Sequence, residues 1–185
     1  RNTAPAVAAA AFAAQAKETD GILLVLPADH LIKDTVSFHH AIHSALALAQ
    51  QDKLVTFGIK PNEPATGFGY IERGIPLKPI EQAYSVKHFV EKPELETAKK
   101  FLSSGDFFWN SGMFVFNAKT YLAELQQHRP DIYAASQLAW QLSHRDLDFC
   151  RLDEAAFAEC PSDSIDYAVM EHTQSAAMVT VDIGW

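Results

Sequence analysis

Two aspartates follow apolar runs that have the length and composition of buried strands. Asp29 lies just beyond the run 22–26, and Asp182 directly follows the run 178–181. Ligands collect beyond the carboxyl ends of strands in open α/β sheets, so both carboxylates fall where a site would form. Together they could hold one Mg²⁺ through oxygen ligands, and that cation could neutralise charge in a phosphoryl-type transfer. Taken singly, Asp29 is better explained as a turn cap and Asp182 as a solvated strand end.

A glycine-rich segment at residues 66–72 could let the backbone approach a ligand closely, because glycine carries no side chain. It is not a triphosphate-binding loop, since no Gly-Lys-Ser/Thr sequence follows. It also lacks the third glycine and the helix of a dinucleotide-binding fingerprint. On its pattern alone, a plain turn is the favoured interpretation.

Two further segments place polar side chains beside predicted strands. Glu91 could accept hydrogen bonds from hydroxyl groups, and Lys92 could bind a phosphate as a point charge; a surface ion pair is the structural alternative. Asn110 lies just before the apolar run 113–116 and carries both donors and an acceptor, which suits sugar hydroxyls. Its structural alternative is an asparagine-driven turn.

Other conspicuous side chains are better explained by structure. His39 and His43 share one face of a predicted helix, but no Glu or His elsewhere completes a zinc site by its spacing. The aromatic residues 107–109 could stack on a base, although core packing is favoured. No Ser or Cys occurs in a nucleophile elbow.

The elements that must position these residues alternate between strands and helices. Continuous apolar runs are typical of strands buried on both faces, and the alternation predicts a three-layer α/β sandwich with a Rossmann-like, mixed, mostly parallel sheet. The unit 22–58 reads as strand–helix–strand, which predicts a right-handed parallel crossover. Strands are predicted at 22–26, 54–58, 70–73, 85–91, 113–116 and 177–182, and helices at 6–17 (with Thr3 as N-cap), 35–51, 94–103, 118–127, 132–143 and 164–172.

The composition limits the kinds of molecule that the chain is expected to bind. The 185 residues are 48% hydrophobic and 21% charged, which is typical of a folded domain. A net charge of −8 argues against nucleic acid as a partner, while a few local cations and a metal would still bind a phosphorylated small molecule. Cys150 and Cys160 could pair, but two thiols in a chain of this size favour a reduced, cytoplasmic protein. No apolar run approaches the roughly 20 residues of a membrane helix.

A set of short motifs in a fixed order carries a family resemblance that spans the whole chain. The motifs lie at residues 26–30 (LPADH), 66–72 (TGFGYIE), 89–93 (FVEKP), 109–114 (WNSGMF), 164–168 (SIDYA) and 181–185 (VDIGW). Together they resemble the bacterial mannose-1-phosphate guanylyltransferases, which are often fused to a mannose-6-phosphate isomerase. The opening RNTAPA at 1–6 resembles the nucleotide side of that group more than the UDP-glucose or dTDP-glucose branches. No single motif is specific, but six in order are.

The resemblance implies a nucleotide-diphospho-sugar transferase fold, Mg²⁺ as cofactor, and a role for each matching residue. The catalytic residues would be Asp29, Lys92 and Asp182, with Asp29 and Asp182 binding the metal and Lys92 the sugar phosphate. The sugar would contact Gly69, Glu91 and Asn110, and the guanine side of the pocket would include Asn2 and Thr3. We expect the carboxylates of Asp29 and Asp182 to lie within roughly 8 Å of each other.

The implied reaction joins mannose 1-phosphate and GTP to give GDP-mannose and pyrophosphate. One alternative is another sugar-1-phosphate nucleotidyltransferase, acting on glucose or N-acetylglucosamine. A second is a non-catalytic nucleotide-sugar-binding relative, which the pair Asp29 and Asp182 disfavours because mere binding requires no metal pair.

One departure from the family pattern concerns what lies outside the chain. The family's glycine-rich nucleotide loop would precede Arg1, and a fused isomerase domain would follow Trp185. Residues 1–185 are therefore expected to be a partial nucleotidyltransferase domain that is inactive alone, since the triphosphate cradle would be missing. Strand edges and apolar surface left uncovered favour self-association, so a homo-oligomer is expected.

Overall fold

Strands and helices alternate along most of the chain. A computed structural model describes residues 1–17 and 21–184. The elements are α1 Thr3–Lys17, β1 Ile22–Val25, α2 Thr35–Ala49, β2 Leu54–Ile59, β3 Tyr70–Pro76, β4 Ala83–Val90, α3 Leu95–Ser104, β5 Phe107–Asn117, α4 Ala118–His128, α5 Pro130–Gln141, β6 His144–Asp146, β7 Phe149–Arg151, α6 Glu154–Ala158, a π-helical turn Asp166–Met170, and β8 Ala176–Thr180.

The chain divides into two units. The first, which we call the helical unit, comprises Arg1–Leu23 and Asn117–Thr173, and the second, the sheet unit, comprises Leu24–Phe116 and Gln174–Trp185. Six of the predicted site residues belong to the sheet unit, and Asn2 and Thr3 belong to the helical unit.

The large sheet has the strand order β1-β5-β2-β8-β4-β3, and the first residues of β3 also pair with β5. The pair β2–β8 is parallel, whereas β2–β5, β3–β4, β3–β5 and β4–β8 are antiparallel. The predicted mixed sheet is confirmed, but the expectation that it is mostly parallel does not hold for these pairings. The cause is β5, which is inserted between β1 and β2, together with the hairpin of β3 and β4.

The core of the sheet unit lies between α2 and the parallel strands. Strand β2 is buried along most of its length, with Leu54, Val55 and Phe57 all 0% exposed, as expected of an apolar run that is covered on both faces. The ring of Phe38 on α2 packs 5.9 Å from the ring of Phe57. Helix α2 begins where Asp34 accepts a hydrogen bond from the Ser37 N–H at 3.0 Å, a side-chain N-cap.

The helical unit is built around the alanine-rich helix α1. Small side chains let α1 pack closely against α4 and α5, and Ala4, Ala8 and Ala11 are completely buried. The helix begins at Thr3, so the residue predicted as N-cap is its first residue; the Thr3 N–H donates to Oδ1 of Asn2 at 2.8 Å. The Thr3 hydroxyl is used outside the helix, where it accepts from the backbone of Ile165 at 2.9 Å.

Several boundaries differ from the prediction for physical reasons. Strand β5 begins at Phe107, whereas the apolar pattern predicted a start at 113. The pattern is interrupted by Asn110 and Ser111, which are polar residues inside a buried strand. Asn110 therefore lies within a strand and not in a turn that precedes one. The short elements β6, β7 and α6 were not predicted, since three to five residues carry too little periodicity. The predicted helix 164–172 is a π-helical turn, Asp166–Met170.

Candidate active site

Three residues of the predicted sugar set meet in one row of the sheet. Tyr70 on β3 pairs with Val90 on β4 and with Trp109 on β5. One step further along each strand lie Gly69, Glu91 and Asn110, so strand register brings them together. The Asn110 N–H donates to the Gly69 carbonyl at 2.8 Å, which fixes the row through the backbone.

Gly69 is required here for space. A Cβ at this position would overlap Oε2 of Glu91 and lie 3.3 Å from Cβ of Asn110. In contrast, a Cβ on the neighbouring Gly67 would have no atom within 4 Å. The segment 66–72 is therefore more than the plain turn favoured by its pattern, because its second glycine admits two polar side chains to the same place.

Asn110 is held in one orientation by two donors. It is 7% exposed, and its Oδ1 accepts from the hydroxyl of the fully buried Thr56 at 2.7 Å. The backbone N–H of Gly112 is a second donor to Oδ1, at 3.3 Å. A backbone N–H can only donate, so the side-chain atom that faces it is the oxygen.

Glu91 and Lys92 form the ion pair that was the structural alternative for them, but the two side chains are buried to different degrees. Lys92 Nζ lies 3.6 Å from Glu91 Oε1, and the side chains are 56% and 10% exposed, respectively. Lys92 also has φ 47°, a left-handed conformation that is rare for a residue with a side chain. Such conformations cost about 1–3 kcal/mol and cluster at functional sites. The alternative of a simple surface pair fits Lys92 but does not fit Glu91.

Glu72 is a neighbouring acid whose partners the sequence pattern did not reveal. It accepts from Lys87 Nζ at 2.6 Å and lies 2.5 Å from His88 Nδ1. The hydrogen bond from Lys87, followed by that from His88, lowers the pKa of Glu72 below its usual 4.5. The pairing of Glu72 with His88 across β3 and β4 creates this cluster, and cross-strand alternation was the one signal that could have predicted it.

The two aspartates lie on loops that are hydrogen-bonded to each other. Asp29 is exposed in the turn after β1, and Asp182 is exposed two residues beyond β8. The backbone N–H groups of Lys33 and Asp34 both donate to the Ile183 carbonyl at 3.1 Å.

Within residues 1–17 and 21–184, no group of three or more His, Cys, Asp or Glu side chains is placed to bind a metal. A carboxylate pair still suits Mg²⁺, which commonly keeps several waters and takes its other ligands from substrate phosphates. The separation of the two carboxylates stays a prediction.

A cavity of about 320 Å³ opens at the carboxyl ends of the parallel strands β2 and β8. Lys60, Gln82, Thr180 and Asp182 supply its polar lining. A second cavity of about 410 Å³, beside α2, also has Asp182 in its wall. Sequence reasoning missed Lys60 and Gln82, because neither stands beside a motif and only the fold brings them to Asp182.

Asn2 and Thr3 are fixed by contacts within the helical unit. Asn2 has φ 72°, and the backbone N–H of Ala4, two residues further on, donates to the Asp163 carbonyl at 3.1 Å. The Arg1 guanidinium donates to the Ala158 carbonyl. The Thr3–Ile165 contact joins the opening segment 1–6 to the motif at 164–168, which is distant along the chain.

The residues interpreted as structural are placed as expected. Trp109 is 7% exposed, and Phe107 stacks on Phe101 with ring centroids 3.8 Å apart, so core packing is confirmed for these rings. Cys150 is exposed, Cys160 is buried, and both are free thiols. Of the helices that the structure describes, not one is long and apolar enough to cross a bilayer.

Comparison with known proteins decides the family. Residues 1–185 match the family described as Nucleotidyl transferase. The chain belongs to the nucleotidyl transferase family. It is 54% identical over 185 residues to the xanthan biosynthesis protein XanB of Xanthomonas campestris pv. campestris. It is also 51% identical over 190 residues to the mannose-1-phosphate guanylyltransferase of Escherichia coli strain K12.

The match covers all of this nucleotidyl transferase chain but only part of each relative. It spans 39% of the X. campestris protein and 40% of the E. coli protein. A crystal structure described as mannose-6-phosphate isomerase from Helicobacter pylori superposes with a TM-score of 0.90 at 39% identity, over 100% of this chain and 70% of that one. The resemblance drawn from the motifs and the predicted α/β fold class are both confirmed.

Proposed function

We propose that this chain carries the sugar-recognition part of an enzyme that transfers GMP from GTP to mannose 1-phosphate, giving GDP-mannose and pyrophosphate. The observation that carries the proposal is the row of Gly69, Glu91 and Asn110. Strand pairing brings together a carboxylate and an amide beside a glycine that leaves room for them. The relatives named mannose-1-phosphate guanylyltransferase support the choice of substrate pair.

In the sugar site, Glu91 accepts hydrogen bonds from hydroxyls and Asn110 fixes a further polar group of the sugar. Lys92 binds the phosphate as a point charge. Its ion pair with Glu91, at 3.6 Å, keeps the exposed ammonium beside the sugar row. A sugar that lacks a matching hydroxyl leaves buried polar groups unpaired, which is a strong basis for selectivity.

Asp29 and Asp182 are assigned to one Mg²⁺, and the hydrogen-bonded loops that carry them support this assignment. When bound, the ion would supply charge neutralisation at the transferring phosphoryl group. The nucleotide base is assigned to the segment of Asn2 and Thr3, whose left-handed Asn2 is held in place by the contacts of its neighbours.

The reaction is a direct displacement. A phosphate oxygen of mannose 1-phosphate attacks the α-phosphorus of GTP, the new P–O bond forms, and the bond to the β-phosphate oxygen breaks as pyrophosphate leaves. This chain's contribution is to position the attacking phosphate through Lys92 and the sugar row, and to stabilise charge.

The free thiols of Cys150 and Cys160 are consistent with a reducing compartment, so we assign the enzyme to the cytoplasm, with self-association as a homo-oligomer.

The test is pyrophosphate release by the complete natural protein. GTP is supplied with mannose 1-phosphate, glucose 1-phosphate or N-acetylglucosamine 1-phosphate, and ATP, UTP and dTTP replace GTP in parallel. The proposal expects the highest kcat/KM for GTP with mannose 1-phosphate. A preference for another sugar phosphate would show that the proposed substrate is wrong. Binding of GDP-mannose without turnover would point to the non-catalytic alternative.

A further inference from the structure

A buried hydroxyl stands behind the sugar row. Thr56 on β2 is 0% exposed, and its hydroxyl donates to Asn110 Oδ1 at 2.7 Å. The hydroxyl oxygen of Thr56 also lies 3.2 Å from the carbonyl oxygen of Met113. Neither the sequence motifs nor the proposed function gives this threonine a role.

Thr56 lies across an irregularity in the pairing of β2 with β5. Thr56 pairs with Phe114, but Gly58, two residues on, pairs with Asn110 rather than with residue 112. Strand β5 therefore carries extra residues at this point, and Gly112 within them has φ 69°. Bulges of this kind re-aim side chains next to active sites. The Thr56 hydroxyl contacts both sides of the bulge, Asn110 before it and Met113 after it.

The bulge also sets the polarity of the Asn110 amide. Oδ1 accepts from Thr56 and from the Gly112 N–H, so the oxygen end is directed into the protein. The opposite end of the amide is Nδ2, which can only donate. Glu91, on the other side of Gly69, can only accept when it is ionised. The row therefore places a donor group beside an acceptor group in a fixed order.

We propose that Thr56 is a positioning residue, whose hydroxyl holds the Asn110 amide with its donor end toward the sugar of the substrate. This inference rests on the proposed function and adds that Asn110 recognises an acceptor oxygen of the sugar. Thr56 itself touches no substrate. Its loss should act on the sugar phosphate and leave the nucleotide unaffected.

The test uses the complete natural protein and measures KM for each substrate separately. Thr56→Val keeps the shape but removes the hydroxyl, and we expect KM for mannose 1-phosphate to rise roughly tenfold while KM for GTP changes less than about twofold. Thr56→Ser keeps the hydroxyl and should return the KM for mannose 1-phosphate to within roughly threefold of wild type. An equal rise in both KM values, or no rescue by serine, would overturn the positioning role.

Two further variants test whether Thr56 acts through the Asn110 amide. Asn110→Asp keeps Oδ1 as an acceptor but removes the donor, so it should raise KM for mannose 1-phosphate at least as much as Thr56→Val does. The double variant with Thr56→Val should raise this KM little further, because both changes act on the same interaction, that of the Asn110 amide with the sugar. Full additivity would count against the proposal. Asn110→Asp and Thr56→Ala carry the same test should Thr56→Val fail to fold.

Ser136→Ala is the matched control for losing a buried hydroxyl. Ser136 is 0% exposed on α5, and its hydroxyl contacts Cys160 Sγ at 3.7 Å. We expect it to lower the melting temperature as Thr56→Val does, without separating the two KM values. Wild-type protein with no turnover of mannose 1-phosphate would overturn the proposed function, whereas normal wild-type turnover with an unaffected Thr56→Val would overturn the positioning role alone.

Discussion

The two groups of residues assigned to the substrate are held in different ways. Gly69 and Glu91 lie one residue outside β3 and β4, in the same row as Asn110 of β5, and Asn110 is only 7% exposed. Asp29 and Asp182 are exposed and lie on loops, which are joined by hydrogen bonds between their backbones. From this difference we infer that hydroxyl recognition is preorganised, while charge neutralisation is completed only when a cation and phosphates supply the remaining oxygens.

The largest expected effect is on the exposed pair. Asp29→Asn and Asp182→Asn each remove a carboxylate from the proposed cation site, and we expect kcat to fall about 10²–10³-fold, the cost of losing one well-placed electrostatic group. Because neither side chain is buried, the melting temperature should hardly change. Kinetics at increasing Mg²⁺ measure the effect, and part of the lost rate should return at high concentration.

The control for this pair is Asp148→Asn, an exposed aspartate of the helical unit. It should match wild type at every Mg²⁺ concentration. If Asp182→Asn behaves like Asp148→Asn, then Asp182 is the solvated strand end that its pattern alone suggested.

The next effect probes the preorganised row. Gly69→Ala introduces a Cβ that overlaps Glu91 Oε2, and relieving such a clash typically costs about 1–3 kcal/mol. Glu91 and Asn110 would separate, so KM for mannose 1-phosphate should rise roughly tenfold or more while KM for GTP stays near wild type. Gly67→Ala is the matched control, since its Cβ would meet open space. Equal effects of the two substitutions would show that the row is less rigid than its contacts imply.

The sequence grouped Gly69, Glu91 and Asn110 as sugar contacts only through its family resemblance, since its apolar runs predicted the neighbouring strands but not their order in the sheet. It could not predict the bulge in β5, since an irregular register depends on which strand lies opposite. Asn110 was placed just before the strand for the same reason, because a polar residue inside a buried strand is explained only by its partner Thr56. Lys60 and Gln82 were missed because cavity walls are assembled from residues distant along the chain.

The smallest expected effect concerns the cluster that Glu72 on β3 forms with Lys87 and His88. Hydrogen bonds from Lys87 and His88 lower its pKa below the usual 4.5, so the folded state favours the ionised form. The stability that follows is fully present above pH 4.5 and is lost as the pH falls through the lowered pKa. The partners are exposed, at 60% and 65%, so the contribution is modest, about 1 kcal/mol or less.

Glu72→Gln tests this by thermal unfolding as a function of pH. At pH 7 the variant should melt slightly below wild type, by up to about 3 °C for a chain of this length. The difference should shrink as the pH falls below the lowered pKa of Glu72, where the wild-type carboxyl is protonated in both the folded and the unfolded state. Glu63→Gln, at an exposed loop position, should show no difference at either pH. A Glu72→Gln difference that persists at pH values below the lowered pKa would mean that the side chain stabilises the hairpin by packing. In that case the β3–β4 hairpin would not depend on the charge of Glu72, in contrast to the charge-dependent role proposed for the aspartate pair.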